Sequence, residues 1–343
     1  MHSSERREFL APAVLALCTC WLGPAAAAPA GGPPVRMIVP LAPGTTADFV
    51  ARLLGRRLTL ATGRPVVVEN QPAAAGVPAT AQIARAAGDG SVLGVVASNH
   101  VINPAMGKTL PFDTLADVVP VTVIGSFPLV LVAIPSLPVD GVQDLVALAR
   151  ARPGALNYGS GGSGSLLHLA IELLRAEAGG FDVQHVPYNG TGQMTADLLR
   201  RQIQFGFLSA TVATPLIRSG KLRALGVSTP TRSALLRDVP TLAEQGLPHY
   251  SFDAWVALVA PGAMPPQLVA RHHALAREAL DAPEVRDALA RQGMTVIGNS
   301  PAQAAAFLAS ELARHTALVR QSGAALEQAQ EGRSPLPLPW KAR

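Results

Sequence analysis

The chain has 343 residues, of which 49% are hydrophobic and only 15% charged, with 28 Lys and Arg against 23 Asp and Glu. This composition excludes an intrinsically disordered chain. The length is too great for one small core and predicts two α/β domains. Because the basic residues are scattered and aromatic residues make up 4%, we expect a solvated surface and no nucleic-acid partner.

The first thirty residues have the pattern of an export signal. A basic pair, Arg6-Arg7, precedes an apolar run at 9–22, and alanines occupy 25–28. The run is shorter than the ~20 residues that a membrane-spanning helix needs, which favours a cleaved signal peptide over an anchor. We expect residues 1–27, or 1–30, to be removed and the mature protein to be periplasmic. The arginine pair leaves twin-arginine export open.

Both cysteines, Cys18 and Cys20, lie within this signal segment. The residues before them, Leu17 and Thr19, do not suit a lipoprotein signal, so lipidation is the lesser alternative. The mature protein then contains no cysteine, which excludes disulfides, thiol nucleophiles and cysteine-based metal sites. The later sequence has no run of ~18 apolar residues, and we expect a soluble mature chain.

Strands and helices alternate in the mature sequence. Apolar runs predict strands at 35–40, 65–70, 92–97, 119–124, 129–134, 157–158, 183–186, 203–208, 222–228 and 255–260. Helical spacing predicts helices at 46–61, 77–87, 142–151, 165–178 and 193–201, and a largely helical remainder after 261. This alternation predicts a mostly parallel sheet covered by helices.

No linker separates the two expected domains, so we expect strands to join them. We predict one domain from 35–127 with 252–330, and the other from 128–251. A chain that crosses to a second domain and returns forms a hinged clamshell. We expect residues 331–343, which are polar and rich in proline, to be disordered.

Two glycine-containing loops each lead from a predicted strand into a predicted helix. One follows Asn157-Tyr158 and spans 159–165, and the other spans 39–48. A helix start presents unpaired backbone N–H groups and a positive dipole end, which bind anions without a charged side chain. Because ligands of open α/β sheets lie at the carboxyl ends of strands, the two loops predict a cleft that binds a small acid from both sides.

Several short motifs follow one another in a specific order, at 38–48, 67–70, 102–104, 156–168, 185–188, 222–225 and 238–244. In this order and spacing the chain resembles the periplasmic solute-binding receptors of tripartite tricarboxylate transporters, the Bug-type receptors. The resemblance covers nearly the whole mature chain. It implies a type II periplasmic-binding fold, a two-lobed α/β clamshell with a mixed, mostly parallel sheet in each lobe. It also implies delivery of a small carboxylate to a membrane permease.

Four residues depart from the pattern of that family near the expected pocket. Leu41 replaces an aromatic residue, Thr45 a second glycine and Asn189 a lysine, and Ser209 stands in a segment that commonly carries an aspartate. The ligand class therefore stays open among dicarboxylates, tricarboxylates, aromatic acids and amino acids. We expect a monomer with a transient permease partner, no cofactor and no catalytic activity.

The candidate ligand-binding residues are taken from the loops at the expected cleft. They are Leu41, Gly44, Thr45, Thr46, Asp48, Ser98, Asn99, Ser160, Gly164, Ser165, His168, Tyr188, Asn189 and Ser209. For Asp48, a helix-capping role is favoured over a contact with a ligand amine, and Trp255 is expected to pack near the hinge. The two loops contain no Lys or Arg, so recognition is expected to use dipoles and not ion pairs. No histidine spacing indicates a metal site.

Two alternatives use the glycine-rich loop differently. Gly159, Gly161 and Gly164 fit a dinucleotide fingerprint, but Asp182 precedes the next strand and should not reach its carboxyl end. A secreted hydrolase could use Ser163 or Ser165 with His168, although the nucleophile-elbow pattern is absent and no orienting acid is evident.

Overall fold

The computed structural model describes residues 32–322, so the predicted signal peptide, both cysteines and the predicted tail at 331–343 lie outside the described residues. The strands are β1 (Val35–Val39), β2 (Val66–Asn70), β3 (Val92–Ala97), β4 (Val118–Ala133), β5 (Asn157–Ser160), β6 (Gln184–Pro187), β7 (Phe205–Ser209), β8 (Arg223–Val227), β9 (Asp253–Pro261) and β10 (Thr295–Val296). The helices are α1 (Thr46–Thr62), α2 (Val77–Ala84), α3 (Asn99–Ala105), α4 (Val142–Ala151), α5 (Leu166–Glu177), α6 (Thr191–Leu199), α7 (Ala210–Arg218), α8 (Pro266–Asp281), α9 (Pro283–Arg291) and α10 (Pro301–Ser322).

The strand β4 belongs to both halves of the fold. The strand order is β2-β1-β3-β9-β4-β7-β5-β6, and β8 and β10 also pair with β4. From Val118 to Pro128 this 16-residue strand pairs with β9, and from Leu129 to Ala133 it pairs with β7. The fold is thus a two-lobed clamshell. The first lobe contains β1–β3, β9 and β10, and the second contains β5–β8. The predicted domain limits stay a prediction.

Each lobe combines parallel and antiparallel pairing. In the first lobe β1 lies parallel to both β2 and β3, and in the second β5 lies parallel to both β6 and β7. The strands β4 and β9 run antiparallel to each other and to their other partners. The parallel strands place the loops that follow β1, β2 and β3 at one edge of the first lobe, and those that follow β5 and β6 at one edge of the second.

The prediction of separate strands at 119–124 and 129–134 was wrong, because β4 is continuous through Gly125. A Cβ at this position would lie 2.5 Å from the Thr295 carbonyl oxygen. The pairing register with β9 shifts between Val123 and Gly125. Gly125 therefore marks a bulge beside β10, and not the end of a strand.

The helices α3 and α7 were not predicted from the sequence. Each follows closely after a strand, and each contains an internal proline, Pro104 or Pro215. Proline inside a helical pattern normally signals a break, so the sequence pattern hides both helices. The helix α10 begins with a capping box: Ser300 N donates to Gln303 Oε1 at 3.0 Å, and Gln303 N donates to Ser300 Oγ at 3.3 Å.

The helix α10 packs against both lobes. Ala304 and Leu308 belong to a core cluster of the first lobe, whereas Leu318 and Val319 belong to the core of the second. Between these two contacts, Glu311 Oε2 accepts a hydrogen bond from Trp255 Nε1 at 2.9 Å. Trp255 is buried on β9, opposite Ser126 of β4, the strand that belongs to both lobes.

Candidate functional site

The loop after β1 is closed by a network of hydrogen bonds. Thr45 Oγ1 donates to the Ala42 carbonyl at 2.8 Å. It also accepts a hydrogen bond from Asp48 N at 3.4 Å. In return, Gly44 N donates to Asp48 Oδ2 at 2.9 Å. Thr45 is thus the N-cap of α1, and Asp48 holds the loop from the first helical turn.

The carboxylate of Asp48 also forms an ion pair with an arginine of the same helix. Arg52 Nη2 lies 2.9 Å from Asp48 Oδ1 and 2.9 Å from Asn70 Oδ1. Burial raises the pKa of the Asp48 carboxyl, but the Gly44 N–H and the Arg52 guanidinium outweigh burial and lower it below its usual value. These contacts agree with the capping role. The N–H groups of Thr46 and Ala47 have no acceptor within the helix.

The remaining candidate residues of the first lobe surround this loop. Asn70 Nδ2 donates to the carbonyl of half-buried Leu41 at 3.2 Å. Ser98 Oγ is buried and accepts from Trp255 N at 3.2 Å, which gives it a structural contact. Asn99 Nδ2 donates to the Ala75 carbonyl at 3.0 Å, while its Oδ1 is buried with no hydrogen-bond partner in residues 32–322.

A strained turn lies next to Asn99. Ala74 and Ala75 have φ values of 47° and 55°, in the left-handed region, at a cost of roughly 1–2 kcal/mol each. Two amides, Asn99 Nδ2 and Asn103 Nδ2, hold the Ala75 carbonyl, at 3.0 and 3.1 Å. The sequence showed no sign of this strain, which the amide contacts from α3 offset in the folded protein.

The glycine-rich loop after β5 is hydrogen-bonded along its length. Ser165 is the N-cap of α5, with its Oγ 3.3 Å from His168 N. Ser160 Oγ donates to Gly162 O at 3.0 Å and accepts from Gly162 N at 3.1 Å. Gly164 N donates to His168 Nδ1 at 3.0 Å. Ser160, Gly164 and Ser165 are therefore engaged within the loop, and their contact with a ligand stays a prediction.

Ser163 is the one serine of the loop at 159–165 that is not among the predicted ligand contacts. Its Oγ is buried and has no hydrogen-bond partner within the described part of the chain. A buried hydroxyl without a partner is costly, so it marks a place where a polar ligand atom would be favourable. Only its position between Gly162 and Gly164 could have indicated it in the sequence.

The second lobe touches the first at the same loop. Gly164 has φ +68°, and a Cβ there would lie 2.6 Å from Met106 Cε. Met106 directly follows α3, the helix that begins at Asn99. Met106 of the first lobe therefore contacts the glycine-rich loop of the second lobe at Gly164.

Tyr188 and Asn189 follow β6, and Ser209 is the last residue of β7. Tyr188 Oη donates to Asp197 Oδ2 at 3.1 Å, and burial together with this carboxylate raises the pKa of the phenol. Asn189 is exposed, and Ser209 Oγ lies 3.2 Å from Thr211 Oγ1. Their contact with a ligand is untested and stays a prediction.

The geometry does not favour the two alternatives for the glycine-rich loop. His168 Nδ1 accepts from Gly164 N, and its Nε2 faces Glu172 Oε1 at 3.9 Å. These contacts direct the two ring nitrogens to groups other than the hydroxyls of Ser163 and Ser165. Asp182 is exposed and precedes β6, at the amino end of that strand. It does not lie at the carboxyl end, where a ribose contact would be needed.

Residues 32–322 also contain a cavity of about 180 Å³ away from these loops. It lies between α1 and α8, and its charged and titratable lining residues are Arg64, Asp89, Arg271 and His272. No group of three or more potential metal ligands occurs in the described residues. None of the helices in this range is both long enough and apolar enough to cross a membrane.

Comparison with known proteins identifies the family. The model of the tripartite tricarboxylate transporter family receptor matches residues 50–324. The chain belongs to this family. Protein BugT of Bordetella pertussis is 36% identical over 296 residues, which cover 86% of this chain and 90% of that protein. The resemblance inferred from the sequence motifs is therefore confirmed.

Solved structures of similar receptors share the fold. The R. palustris protein Rpa4515 with adipate is 30% identical, with a TM-score of 0.76, and the match covers 85% of this chain and 97% of that one. MatC from Rhodopseudomonas palustris with bound malate is 30% identical, with a TM-score of 0.74, and the match covers 84% and 99%. The two-lobed receptor fold is thus common to this chain and to proteins seen with small dicarboxylates.

Proposed function

We propose that this receptor binds a small carboxylate between its two lobes and presents it to a membrane transporter of the tripartite tricarboxylate type. The observation that carries the proposal is the pair of capped helix starts, α1 behind Thr45 and α5 behind Ser165, at the loops after β1 and β5. Such starts leave the first backbone N–H groups open to an anion.

In this proposal the side chains shape the loops and the backbone binds the ligand. Thr45, Asp48 and Ser165 cap the helices, and one ligand carboxylate receives hydrogen bonds from the N–H groups of the first helical turns. The Ser163 hydroxyl adds a donor from the second lobe, and bridging waters complete the contacts. The receptors seen with adipate and malate support a dicarboxylate as the first ligand class to test.

The same proposal assigns the protein no catalytic role. A serine–histidine hydrogen bond does occur, since Ser160 Oγ lies 2.7 Å from His185 Nε2. However, Ser160 is 0% exposed and its hydroxyl is already bonded to Gly162, so a substrate carbonyl has no access to it. We further propose that the protein acts in the periplasm as a monomer after its signal peptide is removed.

A thermal-shift screen of refolded, ligand-free mature protein tests this function. Malate, adipate, citrate, benzoate and glutamate form the panel, with NAD, ATP and a simple ester as controls. A ligand at about 1,000 times its Kd adds about 4 kcal/mol to the free energy of unfolding and moves the midpoint of thermal unfolding by several degrees.

Thr45→Trp should abolish the shift, and Ser310→Ala, on the exposed face of α10, should not. A shift with nucleotide alone, or ester turnover lost in His185→Leu, would contradict the proposal.

A further inference from the structure

Two histidine rings lie face to face under the glycine-rich loop. His168 on α5 and His185 on β6 have ring centroids 4.0 Å apart and planes within 7° of parallel. Tyr158 on β5 stacks against His185, with centroids 4.9 Å apart. His168 and Tyr158 are buried, and His185 is partly buried. Three different elements therefore contribute to one aromatic cluster beneath the loop.

Each imidazole is hydrogen-bonded to a different end of this loop. His168 Nδ1 accepts from Gly164 N at 3.0 Å, and His185 Nε2 lies 2.7 Å from Ser160 Oγ. Ser160 Oγ is bonded in turn to both the N–H and the carbonyl of Gly162. The stacked pair thus anchors the backbone on both sides of Ser163, which lies between Gly162 and Gly164.

The contacts of His168 fix the position of its ring proton. A backbone N–H can only donate, so the Nδ1 that accepts from Gly164 carries no proton and the neutral ring carries it on Nε2. That nitrogen faces Glu172 Oε1 at 3.9 Å. Glu172 is buried and is held by Arg175 Nη1 at 2.9 Å and by Tyr158 Oη at 3.1 Å.

The acceptor role of His168 Nδ1 requires a neutral ring. Protonated His168 would present an N–H from Nδ1 to the Gly164 N–H and would lose this bond. Burial lowers the pKa of His185 to about 3, so this ring is neutral at ordinary pH.

We propose that His168 and His185 are positioning residues that hold the glycine-rich loop in its ligand-binding geometry. They act through Gly164 and Ser160 and do not touch the ligand. The proposal rests on the function proposed above, because the geometry that they hold presents Ser163 and the first N–H groups of α5 to a carboxylate.

Paired variants separate the hydrogen bond from the ring volume. In His168→Asn the side-chain oxygen can take the place of Nδ1 as acceptor, and in His185→Gln the amide can take the place of Nε2 as donor. His168→Leu and His185→Leu keep bulk but remove these groups. We expect each leucine variant to weaken carboxylate binding by at least about tenfold, and the amide variants to stay within about threefold of the wild type. His249→Asn, at an exposed position, is the control.

A ligand-free measurement tests the positioning itself. Amide hydrogen exchange at Gly162 and Gly164 should accelerate in the leucine variants and stay slow in the amide variants, and imidazole ¹⁵N shifts should show His168 protonated on Nε2. Leucine variants that bind as tightly as the wild type when folded, or unchanged exchange at both glycines, would overturn the proposal. If the wild type binds no carboxylate, the proposed function fails, and exchange and ring shifts still decide the role of the histidines.

Discussion

At the scale of single residues, the hydroxyl groups near the helix starts divide into two classes. Thr45 and Ser165 cap α1 and α5, so their side chains serve the fold. Ser163 Oγ is buried without a partner in the described residues, so its side chain does not serve the fold. The sequence pattern located the two helix starts, because apolar residues recur at helical spacing after each loop. It could not separate Ser163 from its neighbours, since that depends on the packing around the loop.

Replacing each serine should therefore affect a different property. Ser163→Ala should leave the free energy of unfolding unchanged or slightly raised, because it removes an unsatisfied buried group, and should weaken ligand binding. Ser165→Ala should lower stability by about 1 kcal/mol through loss of the cap. Calorimetric titration and thermal unfolding of both variants check this. Equal losses of stability in the two variants would contradict the division.

Gly164 should not tolerate a side chain, for two separate reasons. Its φ is +68°, and a Cβ would collide with Met106. We expect Gly164→Ala to lower the free energy of unfolding, measured by thermal unfolding, by at least about 1 kcal/mol. In a Met106→Ala background, with that single variant as the reference, Gly164→Ala should cost only the part due to φ. An equal cost of Gly164→Ala in both backgrounds would show that the collision with Met106 does not contribute.

At the scale of elements, strand and helix positions follow local patterns, and the exceptions have tertiary causes. The apolar runs of β1, β2 and β3 are all located correctly. In contrast, β4 continues through Gly125 because β10 pairs there. The helices α3 and α7 form in spite of internal prolines, and they pack against α10 and β4, respectively. The chain length and the absence of a linker predicted two hinged lobes, and the family resemblance added the type II periplasmic-binding fold.

A partly buried acid lies where the pairing of β9 with β4 ends. Asp253 pairs with Pro128, at the end of the β4–β9 ladder, and its Oδ1 has no hydrogen-bond partner within residues 32–322. Burial raises the pKa of this carboxyl to about 6, against the opposing effects of Ser126 and Arg314, and Glu311 raises it further. Its ionised form is therefore disfavoured in the folded protein.

This pKa predicts a pH-dependent gain in stability for Asp253→Asn. A folded-state pKa above the unfolded value of about 3.9 means that stability falls as pH rises from about 4 to 6 and then levels off. We expect the variant to exceed the wild type by about 1–2 kcal/mol at pH 7.5, and the gain to shrink toward pH 4. Urea unfolding across this range measures it, with exposed Asp182→Asn as the control. A gain independent of pH would contradict the assignment.

At the scale of the whole molecule, α10 and β4 couple the two lobes. Leu308 packs in the first lobe and Leu318 in the second, on one continuous helix. Arg314 on the same helix donates to the Ser251 carbonyl at 3.1 Å, next to β9. The lobes are therefore expected to unfold together, although each has its own core.

Truncation of either leucine should test this coupling. Leu308→Ala and Leu318→Ala should each lower stability by about 2–5 kcal/mol, as for other buried leucines. Both variants should keep a single cooperative transition, because a lobe that unfolds disrupts α10. Calorimetry that resolves two transitions in either variant would show that the lobes are independent.

In the proposed function a carboxylate binds between the starts of α1 and α5. A crystal structure of the mature protein with the dicarboxylate that gives the largest thermal shift would locate it. We expect carboxylate oxygens about 2.7–3.1 Å from backbone N–H groups of the first turns of α1 and α5, with Ser163 Oγ turned toward the ligand. A carboxylate found instead in the cavity beside Arg64 and Arg271, with both loops unoccupied, would contradict the proposal.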